Sequence, residues 1–137
     1  MRIQISSLQN PAVKRTYKLR DRRGRDKSGL TLLEGYREIT RGHEYGMELV
    51  ECFFCPDMFL GENEFPVLDM LEADGIKLYE CPKHVLEKLT YRDRPEGLIA
   101  TAKIRSHSLE DIEFKPNGLY LVAEDIEKPG NLGSILR

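Results

Sequence analysis

The chain has 137 residues, of which 40% are hydrophobic, and this is enough for one domain with a real core and argues against disorder throughout. No apolar run approaches the roughly 20 residues of a membrane span, and the start MRIQISSLQNP lacks the apolar stretch of a secretory signal, so we expect a cytoplasmic protein without membrane contact. The net charge of −2 conceals an asymmetry, because residues 1–46 carry 11 of the 21 Lys/Arg residues but only five of the 23 Asp/Glu residues.

The first predicted element is a helix that begins at Asn10 and Pro11. An asparagine side chain suits the N-cap because it accepts a free backbone N–H, and proline suits the first turn because no N–H is needed there. Apolar residues then lie on one side of the helix and basic residues on the other. We expect the helix to fray at RRGRDKSG, where Gly24 and Gly29 bracket a polar loop.

Strands and helices alternate between residues 30 and 104. Short apolar runs that begin or end at glycine or proline predict four buried strands, and the segments between them predict three helices. Such alternation with short connections indicates an α/β sandwich in which neighbouring strands are largely parallel. In chain order the segments are LTLLEG (strand), YREITRGHEYG (helix), ELVECFFCP (strand), ENEFPVLDMLEADG (helix), IKLYECP (strand), PKHVLEKLTY (helix) and GLIATAKI (strand).

The composition changes after residue 104. Residues 105–118, RSHSLEDIEFKPNG, are polar and end in a turn-forming Asn-Gly pair, which predicts a linker. Residues 119–126, LYLVAEDI, are predicted to form a strand whose nearly continuous apolar side chains need cover on both faces, as in a parallel sheet. A turn at Pro129 then leads into a helix start that Asn131 can cap.

The basic charge concentrates in residues 14–27, where eight Lys/Arg face two Asp. Such a polarised segment favours a polyanionic partner, and the alternative is a solvated helix face. Arg37 and Arg41 stand four apart on a predicted helix and would extend this basic face. Tyr17 and Tyr36 are candidates to stack on exposed bases, with burial as the alternative. The candidates for phosphate contacts are Lys14, Arg15, Lys18, Arg20, Arg22, Arg23, Arg25, Arg37 and Arg41.

The three cysteines are an odd number in a chain without a signal peptide, which argues against a disulfide framework. Cys52-x-x-Cys55 and Cys81-x-x-His84 have the spacing of zinc-ligand pairs, so a zinc-stabilised interaction domain is an alternative. Because side chains alternate along a strand, Cys52 and Cys55 would point to opposite faces of the sheet. Core packing of free thiols is therefore favoured, and no metal site is predicted.

The tail EKPGNLGSILR combines glycines that permit close backbone approach with a helix start whose free N–H groups suit an anion. Arg137 follows within the helix and is able to hold a phosphate or ribose oxygen with two hydrogen bonds. The tail lacks the spacing and the lysine of a phosphate-binding P-loop. On residue chemistry alone, a plain loop followed by an N-cap stays open as the alternative.

The same tail resembles the first signature motif of the SpoU (TrmH-type) branch of the SPOUT RNA methyltransferases. That motif carries an asparagine, a glycine two residues on and an arginine four residues beyond, which here are Asn131, Gly133 and Arg137. The segments SLQNPAVKR, LLEGYREI, LTYRDRPEGLIATAK and LYLVAED resemble the family in turn, so the resemblance spans most of the chain.

This resemblance implies an RNA substrate-binding domain over residues 1–104, with the three-layer α/β fold of ribosomal kink-turn binders. It implies that residues 119–137, after the linker 105–118, begin a trefoil-knotted α/β domain that binds S-adenosylmethionine and forms a homodimer. The family transfers a methyl group to a ribose 2′-hydroxyl of structured ribosomal or transfer RNA. Carried over, Arg137 would hold ribose and phosphate and stabilise developing charge, and Asn131 would shape the catalytic site.

The second and third motifs of that family, which form the cofactor pocket and the knot, do not occur in this sequence. We therefore expect a truncated, catalytically inactive fragment without cofactor-binding residues, whose intact protein is the methyltransferase. The tail is expected to be disordered, to dock on the sheet of the front domain or to pair with a second copy. A stand-alone RNA-binding module without catalysis is the rival interpretation.

Overall fold

The computed structural model describes residues 2–105, 108–126 and 129–136. The chain divides into two units, Met1–Arg105 and Ser106–Arg137. The described residues of the first unit form one sheet and five α-helices, and those of the second form one α-helix.

The strands of the first unit are β1 (Arg2–Gln4), β2 (Leu30–Glu34), β3 (Leu49–Phe54), β4 (Lys77–Glu80) and β5 (Leu98–Lys103). They lie in the order β1-β4-β3-β5-β2. The four strands expected between residues 30 and 104 are confirmed. The additional strand, β1, has three residues, which is too short to show an alternating pattern.

The expectation of largely parallel neighbours is wrong for half of the sheet. β4 is parallel to β1 and to β3, whereas β5 is antiparallel to both β3 and β2. The chain between Thr90 and Gly97 returns to the end of the sheet where β3 stops, as the hydrogen bond from the Cys55 N–H to the Gly97 carbonyl (2.9 Å) shows. β5 therefore starts at that end and runs in the opposite direction.

Helices cover both faces of the sheet. They are α1 (Pro11–Lys18), α2 (Arg22–Ser28), α3 (Tyr36–Glu44), α4 (Glu64–Ala73) and α5 (Lys83–Leu89). On one face, Ile39 of α3 and Leu68 of α4 are buried against the sheet, and on the other, Val13 of α1 and Leu86 of α5 are buried against it. We call these the α3–α4 face and the α1–α5 face. The predicted α/β class is confirmed.

The start of α1 follows the local prediction. The Asn10 side-chain oxygen accepts the N–H of Ala12 at 2.8 Å, and Pro11 is the first helical residue. The cap satisfies one of the four N–H groups that a helix start leaves without a partner. The apolar side of α1 packs on the sheet, which leaves its basic side exposed.

The polar segment predicted to be a loop forms α2 instead. The Arg25 guanidinium donates to the carbonyls of Leu19 (2.9 Å) and Arg20 (3.0 Å), which anchors the helix to the turn after α1. Gly29, with φ of 68°, ends α2 in the left-handed conformation that glycine adopts without strain. Because α2 buries none of its residues, it lacks the apolar periodicity that identifies a helix in a sequence.

The second unit contains a short 3₁₀ turn, Leu109–Asp111, and the helix α6, Pro129–Leu136. The strand predicted at residues 119–126 is wrong, because these residues have no regular secondary structure. Leu119 and Val122 are almost fully exposed, at 101% and 92%. A strand needs a hydrogen-bonded neighbour, and the described residues of this unit supply none.

The expected N-cap position of Asn131 is also wrong. α6 begins at Pro129, so Asn131 lies in the first turn of the helix, with its side chain exposed. The preceding proline starts the helix because it needs no N–H partner in the first turn. Arg137 lies outside the described residues.

Candidate nucleic-acid interface

The exposed side of α1 presents a row of cations. Lys14, Arg15 and Lys18 are exposed, whereas Ala12 and Thr16 on the other side of the same helix are buried. This division follows from the period of about 3.6 residues per helical turn, which places one side chain type on each side of α1.

Two arginines of the basic segment have structural contacts. Besides its bonds to two carbonyls, the Arg25 guanidinium donates to the Tyr91 hydroxyl at 3.2 Å. The Arg20 guanidinium lies 5.4 Å from the ring centre of Tyr17 and 5.1 Å from that of Tyr91. Both distances lie within the range of a cation–π contact. These arginines therefore join the end of α1 to the chain that follows α5.

A lysine from α5 completes this group. Lys88 places its ammonium 4.8 Å from the ring centre of Tyr17, and its backbone carbonyl accepts a hydrogen bond from Arg20 at 3.3 Å. We call Tyr17, Arg20, Arg25, Lys88 and Tyr91 the Tyr17–Tyr91 cluster. Its two tyrosines are 38% and 48% exposed, so part of each residue faces solvent. Flat rings flanked by cations are the usual platform for an unpaired nucleotide.

A buried carboxylate holds Tyr91 in place. Glu34, at the end of β2, accepts the N–H of Tyr91 at 2.7 Å and the hydroxyl proton of Thr90. The Tyr91 hydroxyl in turn donates to the Leu19 carbonyl at 3.1 Å. Burial raises the pKa of Tyr91 above its ordinary value, so the phenol stays neutral at physiological pH.

Ion pairs reduce the charge of part of the basic segment. Arg15 lies 3.3 Å from the buried Glu51, and Arg22 lies 3.6 Å from Asp26 in an exposed pair. Among the described residues, four exposed cations of the segment have no acidic partner within 4 Å: Lys14, Lys18, Arg23 and Lys27. Those four are the best placed to meet an external anion.

Residues 10–100 match the family description of the MRM3-like substrate-binding domain. The chain belongs to this family. Its relatives include an uncharacterized tRNA/rRNA methyltransferase of Synechocystis sp., which is 32% identical over 97% of this chain and 47% of that protein. Mitochondrial rRNA methyltransferase 3 of Xenopus laevis is 33% identical over 82% of this chain and 27% of that protein.

Among solved structures, the chain is similar to the crystal structure of an RNA 2′-O ribose methyltransferase. It has a TM-score of 0.76 and 39% identity, and the match covers 99% of this chain and 50% of that one. The chain thus spans at most about half the length of these relatives. The resemblance to SpoU-type RNA methyltransferases is confirmed.

The MRM3-like domain does not unite all the predicted contacts on one surface. Arg37 and Arg41 are exposed on α3, which packs on the α3–α4 face, whereas the cations of α1 lie on the α1–α5 face. Tyr36 is half-buried and packs against the core of the α3–α4 face. Of the two tyrosines proposed for stacking, Tyr17 alone belongs to the Tyr17–Tyr91 cluster.

Sequence reasoning missed Lys88 and Tyr91. They lie some 70 residues from α1, and the position of Lys88 in its helix is like that of any other exposed lysine. The run LTYRDRP resembles the family, but no local rule connects it to the basic segment. The contact exists because α1 and α5 pack side by side on the same face.

The cysteines of the domain lie in its core, and the predicted alternation of Cys52 and Cys55 is confirmed. Cys52 packs on the α3–α4 face, and Cys55 and Cys81 pack on the α1–α5 face. Burial raises the pKa of the Cys52 and Cys81 thiols to about 12, so both are protonated at neutral pH. Over the described part of the chain, no group of three or more His, Cys, Asp or Glu residues is placed to hold a metal ion.

Of the two residues carried over from the signature motif, the structure describes one. Asn131 is exposed on α6, and Arg137 is beyond the part of the chain that the structure describes. No helix within the described ranges has the length and apolar character needed to cross a membrane.

Proposed function

We propose that this chain supplies the RNA-recognition surface of an S-adenosylmethionine-dependent methyltransferase that modifies a ribose 2′-hydroxyl in ribosomal or transfer RNA. The Tyr17–Tyr91 cluster carries the proposal, because it places two accessible rings among cations on a single face of the domain. The relatives, which are RNA methyltransferases by name, support the substrate class.

The surface would bind RNA in two ways. The exposed cations Lys14, Lys18, Arg23 and Lys27 would contact phosphates and release counterions, which makes the affinity depend steeply on salt. Tyr17 and Tyr91 would stack on unpaired bases, which favours loops and bulges over regular duplex. Arg37 and Arg41, on the other side of the sheet, would lie outside this surface.

S-adenosylmethionine is the cofactor found in solved SpoU-type structures of this fold. It would supply the methyl group. The cleft of about 500 Å³ at the ends of β3 and β4 does not fit it, since that cleft is lined by Asp57 and Glu80 but by no cation for the amino-acid carboxylate. We propose no cofactor-binding residue in this chain.

The signature residues would act on the substrate ribose. Arg137 would hold ribose and phosphate oxygens and stabilise negative charge that develops during transfer, and Asn131 would shape the site around it. A guanidinium stays protonated at any physiological pH, so Arg137 would not serve as the general base. We further propose that the intact enzyme forms a homodimer through a trefoil-knotted domain that begins at residue 119, and that the first unit has the fold of kink-turn binders.

A binding assay tests the proposal. Fluorescence anisotropy of a labelled RNA stem-loop with an unpaired loop should show binding by the full chain at low salt. The variant Arg22→Gln/Arg23→Gln should bind more weakly, because Arg23 has no acidic partner within 4 Å among the described residues and Arg22 is held only by an exposed ion pair. The matched control, Arg37→Gln/Arg41→Gln, removes the same charge from the other face and should bind as the wild type does. Absence of binding at low salt, or equal losses in both variants, would contradict the proposal.

A further inference from the structure

A cleft of about 300 Å³ lies between α1 and α2 on the α1–α5 face. Leu19, Leu30 and Gly24 contribute to its walls, and Thr16 and Glu51 lie deeper. Arg15, Lys18 and Lys27 stand at its border, so the cleft opens within the cationic surface already described. A space of this size lies at the lower end of ligand pockets, which are typically about 300–1,000 Å³.

Gly24 determines how closely the two walls approach. A Cβ atom at this position would lie 1.9 Å from the Lys18 carbonyl oxygen, which is a backbone atom that cannot rotate away. Only glycine therefore lets α2 lie against the end of α1. Arg25, bound to the carbonyls of Leu19 and Arg20, holds the helix at this distance.

The floor of the cleft carries a carboxylate with free acceptor capacity. Glu51 is only 6% exposed, and it accepts one hydrogen bond from the Thr16 hydroxyl (3.2 Å) and one from Arg15 (3.3 Å). Both bonds are long, and a carboxylate has about four acceptor positions. Buried carboxylates with so few partners are costly unless a further donor binds.

A second buried polar group lies beside Glu51. Thr101 of β5 is the register partner of Glu51 in β3, and strand alternation places both on the α1–α5 face with Phe53 and Ile99. Thr101 is fully buried, and its hydroxyl has no hydrogen-bond partner among the described residues. The polar floor of the cleft at Glu51 therefore adjoins a second buried polar group, whose hydrogen-bonding capacity is unused among the described residues.

We propose that the cleft takes one unpaired nucleobase that carries an exocyclic amino group, and that Glu51 accepts from that group. The ring would lie between Leu19 and Leu30, and the adjoining phosphates would meet Lys18 and Lys27. Cytosine, adenine and guanine have such a donor. Uracil has no exocyclic amino group, and its single ring donor, N3–H, lies between two carbonyl oxygens that a carboxylate repels. This proposal rests on the proposed function, because the base would belong to the bound RNA.

Short single-stranded oligocytidine and oligouridine of equal length test this selectivity with the full chain. The wild type should bind oligocytidine at least about fivefold more tightly, the ratio that a single good base contact gives. Glu51→Gln replaces one acceptor oxygen by an NH₂ donor, so the preference should vanish or turn toward uridine. The salt dependence of binding should be at least as steep as in the wild type, because Lys18 and Lys27 stay and Arg15 loses its carboxylate partner.

A measurement on the wild type keeps the test valid even if Glu51→Gln fails to fold. In amide NMR spectra of the wild type, cytidine 5′-monophosphate should shift Thr16, Gly24 and Leu30, and uridine 5′-monophosphate should not. Binding of both oligomers with equal affinity, or a cytidine preference that persists in Glu51→Gln, would overturn the cleft assignment and leave the proposed function intact. Failure of the chain to bind any RNA would instead overturn the proposed function, and the mononucleotide shifts would still decide whether the cleft selects a base.

Discussion

The double variant Lys14→Gln/Lys18→Gln should reduce the salt dependence of RNA binding by a predictable amount. Both lysines are exposed on α1, and no acidic side chain of the described residues lies within 4 Å of either. Glutamine and lysine have nearly equal helix propensities, so α1 itself should not change. The charge of the surface is therefore the property that the variant alters.

The magnitude follows from the number of available cations. Five exposed cations without an acidic partner lie on this surface: Lys14, Lys18, Arg23, Lys27 and Lys88. If each contacts one phosphate, the slope of log K against log salt is about −4.5 for duplex RNA and about −3.5 for a single strand. Removal of two contacts makes the slope shallower by about 1.4 to 1.8, which is about 25- to 60-fold weaker binding near 0.1 M salt.

Fluorescence anisotropy across a salt series measures both slopes directly. Arg37→Gln/Arg41→Gln serves as the matched control, because it removes the same charge from exposed positions of a helix on the opposite face. Its slope should equal that of the wild type. A slope in Lys14→Gln/Lys18→Gln that does not differ from wild type, or an equal change in the control, would refute the assignment of RNA to the α1–α5 face.

Three further predictions concern stability and the placement of the rings. Gly24→Ala should lower the melting temperature by about 5–10 °C. The added Cβ would lie 1.9 Å from the Lys18 carbonyl oxygen, and the displacement of α2 that relieves this clash lowers the free energy of unfolding by about 1–2 kcal/mol. Glu34→Ala leaves the Tyr91 N–H unsatisfied, so it should cost about 1–3 kcal/mol in urea unfolding and weaken RNA binding. Stability should fall as the pH rises from about 9 toward about 12. Burial raises the pKa of the Cys52 and Cys81 thiols to about 12, so in the folded chain they ionise only at the top of this range.

Each of these has its own control. Gly61→Ala introduces a Cβ with no neighbour within 4 Å, so its melting temperature should match that of wild type. If Glu34→Ala lowered the free energy of unfolding as expected but left the RNA affinity unchanged, the role of Glu34 in placing Tyr91 for RNA binding would be contradicted. For the alkaline transition, raised pKa values favour the protonated thiols, so the folded state holds its full advantage below about pH 9 and loses it above. Replacing both cysteines by alanine should flatten this part of the pH profile, and an unaltered profile would contradict the assignment.

The Tyr17–Tyr91 cluster depends on groups that are not themselves exposed. Glu34 orients the backbone at Tyr91, and the Arg25 guanidinium bridges the Tyr91 hydroxyl and the chain after α1. These contacts order the Tyr17–Tyr91 cluster before RNA binds. A binding surface that is already ordered loses less conformational entropy on association, which makes its affinity higher for the same contacts.

Local signals in the amino-acid sequence were sufficient for α1, for α3 to α5 and for β2 to β5. Asn10 and Pro11 determine where α1 begins, because a cap and a first turn involve only neighbouring residues. Apolar runs that begin or stop at glycine or proline predicted β2 to β5, since the pattern of a buried strand extends over a few residues. The basic character of residues 14–27 is a property of composition, and it needed no structure to be seen.

Tertiary structure alone decided which of these elements meet. β5 lies between β3 and β2 and is antiparallel to both because of the path from Thr90 to Gly97. α2 is held in place because Arg25 donates to carbonyls outside its own helix. The same packing joined Tyr17 to Lys88 and placed Arg37 on the far side of the sheet. Contacts between residues far apart in the chain depend on where each connection leads and on which polar groups it satisfies, and neither leaves a periodic trace in the sequence.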